Sequence, residues 1–151
     1  MPIPRTWKVC QNTQLLQEYD KLWDEIAARA EVVGCKRVNK PALYTFKATT
    51  GLGQCRSKMS LGTREVVSEG IGLNKVFLRH ADKATTVLIH EIAHAFKPDD
   101  YHGPTWESIG RPIAKKYGVE FSRLADLKKL GIDEEELKDG KITSNSGGDL
   151  K

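Results

Sequence analysis

Three of the four histidines of this chain lie between positions 90 and 102, in the stretch TTVLIHEIAHAFKPDDYHGPTW (residues 85–106). His90 and His94 are four residues apart, so on a helix their imidazoles stack one turn apart on one face, as two ligands of one zinc ion would. Glu91 flanks this pair and can reach an activated water without being a ligand. The pattern predicts a zinc site with Glu91 as general base. The alternative interpretation is a pair of capping or core histidines on an ordinary helix.

A catalytic zinc site takes three protein ligands and leaves its fourth position to water. His102 follows His94 by eight residues, beyond a break made by Pro98. A tight loop through residues 97–101 would bring its imidazole back over the helix end. Imidazole is the commoner zinc partner at such sites, which favours His102 as the third ligand. The competing oxygen ligands are Asp99, Asp100 and Glu107.

A long amphipathic helix is predicted for residues 13–33, where apolar side chains recur three and four positions apart and Gly34 follows to end it. After Pro41, the segments ALYTFKA and QCRSKMSL are predicted as two antiparallel strands joined by the turn TTGLG. The segment GTREVVSEG is predicted as a loop, and IGLNKVFL as a third strand or a strand running into a turn.

The histidine-bearing helix is expected to be capped by Asp82 and to stop before Pro98. A further helix should begin at Gly103 and Pro104 and close at Gly118, with Pro112 kinking or splitting it. RLADLKKLG and DEEELK are predicted as one or two short surface helices. Strands followed by helices, without alternation, indicate an α+β domain.

The length of 151 residues favours one compact domain, assigned to residues 1–143, with a disordered tail over 144–151. No apolar run long enough for a secretion signal or a membrane span is present, so a cytoplasmic protein without membrane partners is expected, in the host cytoplasm if the chain is viral. Its three cysteines are scattered, which favours reduced thiols over a disulfide framework or a zinc ribbon.

The net charge of +4 is concentrated in one part of the chain. Between Glu31 and Glu65 there is no acidic residue, whereas seven residues are basic. Such a stretch suits a phosphate backbone, and a solvated basic sheet face is an equally good interpretation. The candidate DNA-binding residues are Lys36, Arg37, Lys40, Lys47, Arg56 and Lys58, with Arg64 as the seventh basic position.

VLIHEIAHAF followed by HGPTW resembles the SprT-like metalloproteases, the zincin group that includes the DNA–protein crosslink protease Spartan and short phage and bacterial members. Upstream, TGLGQCRSK and GIGLNKVFL are similar to the hairpin and strand that precede the zinc helix in such proteins. The likeness covers roughly residues 40 to 118. Two features depart from it: Thr105 stands where many members have an acidic residue, and the cysteine-rich zinc ribbon of some members is missing, so no second metal is expected.

The resemblance implies a zincin-like SprT core with an N-terminal long helix, a small antiparallel or mixed three-stranded sheet, the HExxH zinc helix and a following helix. It implies one zinc ion per chain on His90, His94 and His102, with Glu91 as catalytic acid/base. The expected function is a zinc-dependent endopeptidase acting on protein or peptide substrates, including DNA-associated proteins. A non-catalytic, zinc-stabilised nucleic-acid-binding or scaffolding module is the alternative.

A substrate peptide can add itself to an exposed strand edge, and the predicted edge is IGLN, where Gly72 would leave room for the chain. An oxyanion helper is usual at such sites. Its candidates are Tyr101, His80 and Arg111. Cys55 and Trp106 are predicted to be buried core residues.

Overall fold

The computed structural model is an α+β arrangement in which four strands precede the helices that carry the histidines. It describes residues 3–49, 51–59, 61–62, 66–98, 102–121, 130–133 and 135–139. In chain order the elements are β1 (Lys8–Val9), α1 (Thr13–Val32), β2 (Ala42–Phe46), β3 (Gly53–Met59), β4 (Val66–Asn74), two 3-10 helices (Lys75–Leu78 and Ala81–Lys83), α2 (Thr85–Phe96), α3 (Pro104–Tyr117) and α4 (Glu135–Asp139).

The sheet is mixed, with the strand order β1-β2-β4-β3. β2 is antiparallel to β1 and parallel to β4, and β3 forms an antiparallel hairpin with β4. One face of β4 presents Ile71 and Leu73, which are fully buried beneath the helices. The other face presents Gly70 and Gly72, which lie beneath aromatic side chains of β2 and of the N-terminal segment.

The predicted pairing of the two strands after Pro41 is wrong, because β4 lies between β2 and β3. The sheet also has one strand more than predicted, and the predicted loop GTREVVSEG contains the first half of β4. The five residues Gly70–Asn74 are all buried, so their backbone N–H and C=O groups need partners on both sides, and only a central strand has them. The polar residues of β3 suit an edge instead.

For the same reason the prediction that IGLN is an exposed edge is wrong: the segment pairs with β2 on one side and β3 on the other. The space above Gly72 is also filled. A Cβ atom at that position would lie 2.7 Å from the Trp7 ring. The free edge next to the histidine helix therefore belongs to β3, which pairs only with β4 among the described strands.

Helix α1 confirms the predicted amphipathic helix. The Asn12 side chain accepts a hydrogen bond from the Leu15 N–H at 2.9 Å, which caps the helix start. Gly34 follows the helix end with a φ of 89°, a left-handed conformation that favours glycine. The buried face packs against the other helices and the sheet, and it comprises Leu15, Tyr19, Leu22, Trp23, Ile26 and Ala30.

Helix α2 lies at the centre of the molecule and packs against α1, α3, β3 and β4. It ends at Phe96, as expected from Pro98. Its start differs from the prediction: Asp82 belongs to the preceding 3-10 helix, and Ala84 takes the cap position without a side-chain hydrogen bond. The Thr85 hydroxyl instead donates to Glu18 of α1 at 2.8 Å, so the first turn is held by a tertiary contact.

Helix α3 continues through Pro112 without being split. A proline inside a helix removes the N–H that would bond to the carbonyl four residues earlier, here that of Ser108. Arg29 of α1 donates its Nε–H to this carbonyl at 2.9 Å. The tertiary contact thus replaces the hydrogen bond that Pro112 cannot make.

The C-terminal part of the described chain packs beside the two 3-10 helices. Helix α4 lies in the DEEELK segment, where a short helix was predicted. Its Glu136 carboxylate contacts Arg79 and His80 at 3.1 and 3.0 Å, and Leu137 is buried. The RLADLKK segment and the predicted tail lie outside the described residues.

None of the described helices is long and apolar enough to cross a membrane. The three cysteines carry free thiols: Cys10 is buried, and Cys35 and Cys55 are half-buried.

Candidate metal centre

Three imidazoles converge where α2 meets the start of α3. The Nε2 atoms of His90 and His94 are 3.3 Å apart, and those of His90 and His102 are 3.1 Å apart. The first two residues lie one turn apart on α2, and His102 comes from the segment that leads into Gly103, the N-cap of α3. Packing of α3 on α2 therefore brings the third ring to the other two.

The spacing of the three rings fits a single metal ion. Ligand nitrogens about 2.0–2.1 Å from a tetrahedral zinc ion are about 3.3 Å from one another, close to the Nε2 separations found here. All three ligand atoms lie within 4.8 Å of one another. Three Nε2 atoms that face one point cannot all pair with one another, because each Nε2 of a neutral imidazole is either a donor or an acceptor. The three histidines could hold a metal ion.

The environment of His94 keeps this imidazole uncharged. Burial, together with the neighbouring His90 and His102 rings, lowers the pKa of His94 to about 3. Metal binding requires the neutral imidazole, whose lone pair is free. At neutral pH His94 is therefore already in its ligating form.

Trp106 forms one wall of the site. Its indole N–H donates to the backbone carbonyl of His90 at 3.1 Å, and its ring stacks on His94 with the centroids 5.5 Å apart. Trp106 is buried, as predicted, but it also contacts all three imidazoles. Its ring further stacks on Phe121 at 4.3 Å. Sequence reasoning assigned this tryptophan to the core alone and so missed its contact with the site.

Phe121 was missed altogether, since it lies beyond the histidine motif in a segment without a recognised pattern. The space for its ring comes from Gly110 on α3, where a Cβ atom would lie 2.1 Å from the Phe121 ring. A glycine inside a helix is unfavourable unless a neighbour needs the space. Gly110 was therefore the available signal for a close aromatic contact.

Glu91 lies between the histidines and the start of β3. Its side chain is buried, and one carboxylate oxygen is 3.9 Å from His90 Nε2. Burial raises the pKa of Glu91 to about 8, because the charged form loses its hydration. A Cβ atom at Gly53 would be 3.0 Å from the Glu91 side chain. The absence of a side chain at Gly53 lets the edge strand approach this carboxyl group.

The sequence model of the SprT-like family matches residues 14–125, well over half of the chain. The chain belongs to the SprT-like family. Comparison with curated proteins and with solved structures finds no match. The family assignment predicted from HEIAH and HGPTW is thereby confirmed. The matched region of this SprT-like chain contains the three histidines, Glu91 and Gly53, whereas β1 and α4 lie outside it.

The candidate oxyanion helpers of this SprT-like protein have other partners where they are described. His80 contacts Glu136 and Arg111 contacts Glu107, the latter with Nε 3.2 Å from the carboxylate. The guanidinium of Arg111 also lies 5.8 Å from the Phe121 ring centroid. Tyr101 lies outside the described residues.

Neither the competing oxygen ligands nor Cys55 joins the histidines among the described residues. Glu107 is exposed and pairs with Arg111. The Cys55 thiol lies 3.2 Å from the Ser68 hydroxyl, and burial raises its pKa to about 12. Asp99 and Asp100 lie outside the described residues. The described side chains that meet the requirements of a metal site are thus the three histidines alone.

The candidate DNA-binding residues lie in two parts of the molecule, in the segment after α1 and on the sheet. Several of them face acidic neighbours: Arg37 with Glu31, Lys40 with Asp20, and Lys58 with Glu69. Arg56 lies over the Trp7 ring at 5.6 Å, and Lys36 and Lys47 are exposed. DNA binding through these residues stays a prediction.

Proposed function

We propose that this chain is a zinc-dependent endopeptidase. The observation that carries the proposal is the convergence of three Nε2 atoms at zinc-ligand spacing, with the buried Glu91 carboxyl group 3.9 Å from one of them. Three protein ligands are typical of a catalytic zinc site, since closed structural sites use four. Membership of the SprT-like family supports a function related to metallopeptidases.

In this proposal His90, His94 and His102 hold the zinc ion. When bound, zinc supplies Lewis acidity that activates a water and polarises the scissile carbonyl. Glu91 takes the proton from the attacking water and delivers it to the leaving amine. In the metal-free protein, burial raises the Glu91 pKa and so favours the protonated state that the second step requires.

The other residues of the site orient this machinery and exclude water. The Trp106 hydrogen bond to the His90 carbonyl fixes one turn of α2 relative to α3. The stacked Trp106 and Phe121 rings shield the imidazoles on one side. Rigid contacts of this kind hold ligands in productive geometry before substrate arrives.

The substrate would lie along β3, the edge strand next to Glu91. Edge strands present unpaired backbone N–H and C=O groups to which an extended peptide can add. Gly53 lies at the start of this edge, directly against Glu91. A peptide paired with β3 would therefore bring a backbone carbonyl to the histidines and Glu91.

Purified protein tests the proposal through its metal content and its ability to cleave an unfolded protein. Wild type and Glu91→Gln should each contain one equivalent of zinc, and only wild type should cleave. His102→Ala should lose zinc, whereas His80→Ala is the matched control that keeps it, because His80 contacts Glu136. Adding single-stranded DNA to the same assay tests the predicted DNA partner.

Two outcomes would contradict the proposal. Cleavage by Glu91→Gln at the wild-type rate would remove the role of this carboxyl group. Zinc in both proteins without cleavage, with or without DNA, would favour the alternative of a non-catalytic zinc-stabilised module.

A further inference from the structure

The β3–β4 hairpin extends beyond the rest of the sheet. β2 pairs with β4 only from Gly70 onward, so the pairs Ser57–Ser68, Lys58–Val67 and Met59–Val66 form a two-stranded projection. We call this projection the arm. A bulge between Arg56 and Ser57 marks its base. Bulges bend a strand and re-aim its side chains, and they are enriched beside active sites.

The two faces of the arm differ in charge. The Cys55 thiol faces the helices and contacts the Ser68 hydroxyl at 3.2 Å, so Ser68 lies on the helix side. Directly paired residues share a face and neighbours along a strand alternate. The helix side of the arm therefore carries Ser57, Met59, Val66 and Ser68. The outer side carries Lys58, Val67 and Glu69. Lys58 and Glu69 form a salt bridge at 3.3 Å.

The helix side carries no ionisable side chain within the arm, and it ends in exposed apolar residues. Met59 is 57% exposed, and Leu61, which follows at the tip, is 96% exposed. This face is continuous along β3 with Gly53 and hence with Glu91. These apolar side chains lie in water at the far end of the candidate substrate path. Covering them with a ligand is favourable, because it removes apolar surface from water.

We propose that the helix side of the arm binds an apolar side chain of the substrate, several residues N-terminal to the scissile bond. This proposal rests on the proposed endopeptidase function and on substrate pairing with β3. Antiparallel pairing is the more stable arrangement per residue and would continue the antiparallel β3–β4 ladder. The direction of β3 then decides which side of the substrate meets the arm.

A peptide antiparallel to β3 runs from the Met59 end toward the Gly53 end. Its residues opposite Met59 therefore precede those opposite Gly53 in the peptide sequence. The strand from Gly53 to Met59 has seven residues, and at roughly 3.3 Å per residue it spans about 20 Å. The apolar substrate residue is thus about six positions before the bond that lies opposite Glu91.

The charge distribution favours a peptide over nucleic acid on this face. Phosphate groups bind to lysine and arginine, and the arm carries Lys58 on its outer side together with Arg56 at its base. The helix side offers methionine, valine and serine, which suit an apolar or uncharged side chain. Binding of an oligonucleotide to Met59 is accordingly an outcome that would overturn the proposal.

Matched fluorogenic peptides test the arm. One peptide carries leucine six positions before the cleaved bond, a second carries serine there, and a third carries the leucine six positions after it. Wild type should show a KM about fivefold lower for the first peptide than for the second, the effect of covering part of two apolar side chains. The third peptide should have no such advantage.

The variants are Met59→Ser and, as matched control, Val67→Ser on the outer side of the same arm. Met59→Ser should reduce the leucine-over-serine ratio to near one, and Val67→Ser should keep it near five. An unchanged ratio in Met59→Ser, or an equal loss in both variants, would overturn the proposal. The ratio compares two peptides within one protein, so a general loss of stability or activity cancels.

Binding measured without cleavage separates this proposal from the endopeptidase function. Glu91→Gln with fluorescently labelled peptides should show the same fivefold ratio in Kd, and Met59→Ser added to Glu91→Gln should remove it. If wild type cleaves no peptide, the endopeptidase proposal fails, and the Kd ratio still decides whether the arm binds apolar residues. Weaker oligonucleotide binding in Met59→Ser with no Kd ratio between peptides would assign the arm to nucleic acid.

Discussion

The hydrogen bond from Arg29 to the Ser108 carbonyl should be energetically coupled to Pro112. The carbonyl lacks its helical partner because Pro112 has no N–H, and Arg29 Nε supplies the missing donor at 2.9 Å. Arg29→Met keeps the aliphatic stem and removes the guanidinium donor together with its charge. A hydrogen bond from a charged donor contributes roughly 1.5–3 kcal/mol. Since this one is solvent-accessible, we expect Arg29→Met to lower the free energy of unfolding by about 1 kcal/mol.

In a Pro112→Ala background the same change should cost almost nothing, because the alanine N–H can bond to the Ser108 carbonyl itself. The predicted coupling energy of this double-mutant cycle is therefore about 1 kcal/mol. Urea denaturation of wild type, the two single variants and the double variant, at equal metal content, measures this coupling energy. Arg29→Met alone should lower Tm by about 3 °C.

The matched control is Arg37→Met, which removes an arginine whose ion pair with Glu31 is 3.7 Å long and whose side chain is 93% exposed. Such surface pairs contribute little, so the control should change the free energy of unfolding by less than about 0.5 kcal/mol. An equal cost of Arg29→Met with and without the Pro112→Ala change would refute the reasoning.

Three further predictions concern the site. Burial raises the Glu91 pKa from 4.5 to about 8, so the folded metal-free protein favours the protonated carboxyl group. The contribution of this proton to the free energy of unfolding is complete below pH 4.5 and is lost as the pH rises through 8. Between pH 5 and 7 the unfolding free energy of Glu91→Gln relative to wild type should rise by roughly 2 kcal/mol in chelator; a constant difference would contradict the assigned burial. Gly110→Ala should destabilise the fold by about 1–3 kcal/mol in urea denaturation, because its methyl group would lie 2.1 Å from the Phe121 ring; a stability equal to or above wild type would show that the ring moves freely. Gly53→Ala should lower kcat about tenfold or more at unchanged zinc content, since its Cβ would lie 2.6 Å from a Val87 methyl group and 3.1 Å from a Glu91 carboxylate oxygen and would push β3 away from Glu91; wild-type kcat would separate this glycine from catalysis.

Features that depend on neighbours along the chain were predictable. The face of α1 and its end at Gly34 follow from helical periodicity and from glycine's freedom to adopt a positive φ. The position of His90 and His94 on one helix face follows from their spacing of four residues. The HEIAH and HGPTW segments likewise sufficed to predict the family that the comparison confirms.

Features that depend on which distant segments meet were not predictable in the same way. The strand signals gave the positions of β2 and β3 but not β4 between them, because strand periodicity is equally satisfied by any partner. The strand edge next to the histidine helix is consequently that of β3 and not the predicted IGLN segment. The approach of His102 to the α2 histidines was predicted as one of several choices, since it depends on how α3 packs on α2.

The sequence by itself determined the helix that bears His90, Glu91 and His94, the chemistry these residue types allow, and the family. Only the tertiary structure decided the strand order and the burial of Glu91 against Gly53. It also decided the stacking of Trp106 on Phe121 and the hydrogen bond from Arg29 to the Ser108 carbonyl. The physical reason is the range of the interactions involved. Helical hydrogen bonds and side-chain faces repeat every few residues, whereas sheet pairing and packing join groups that the chain places far apart.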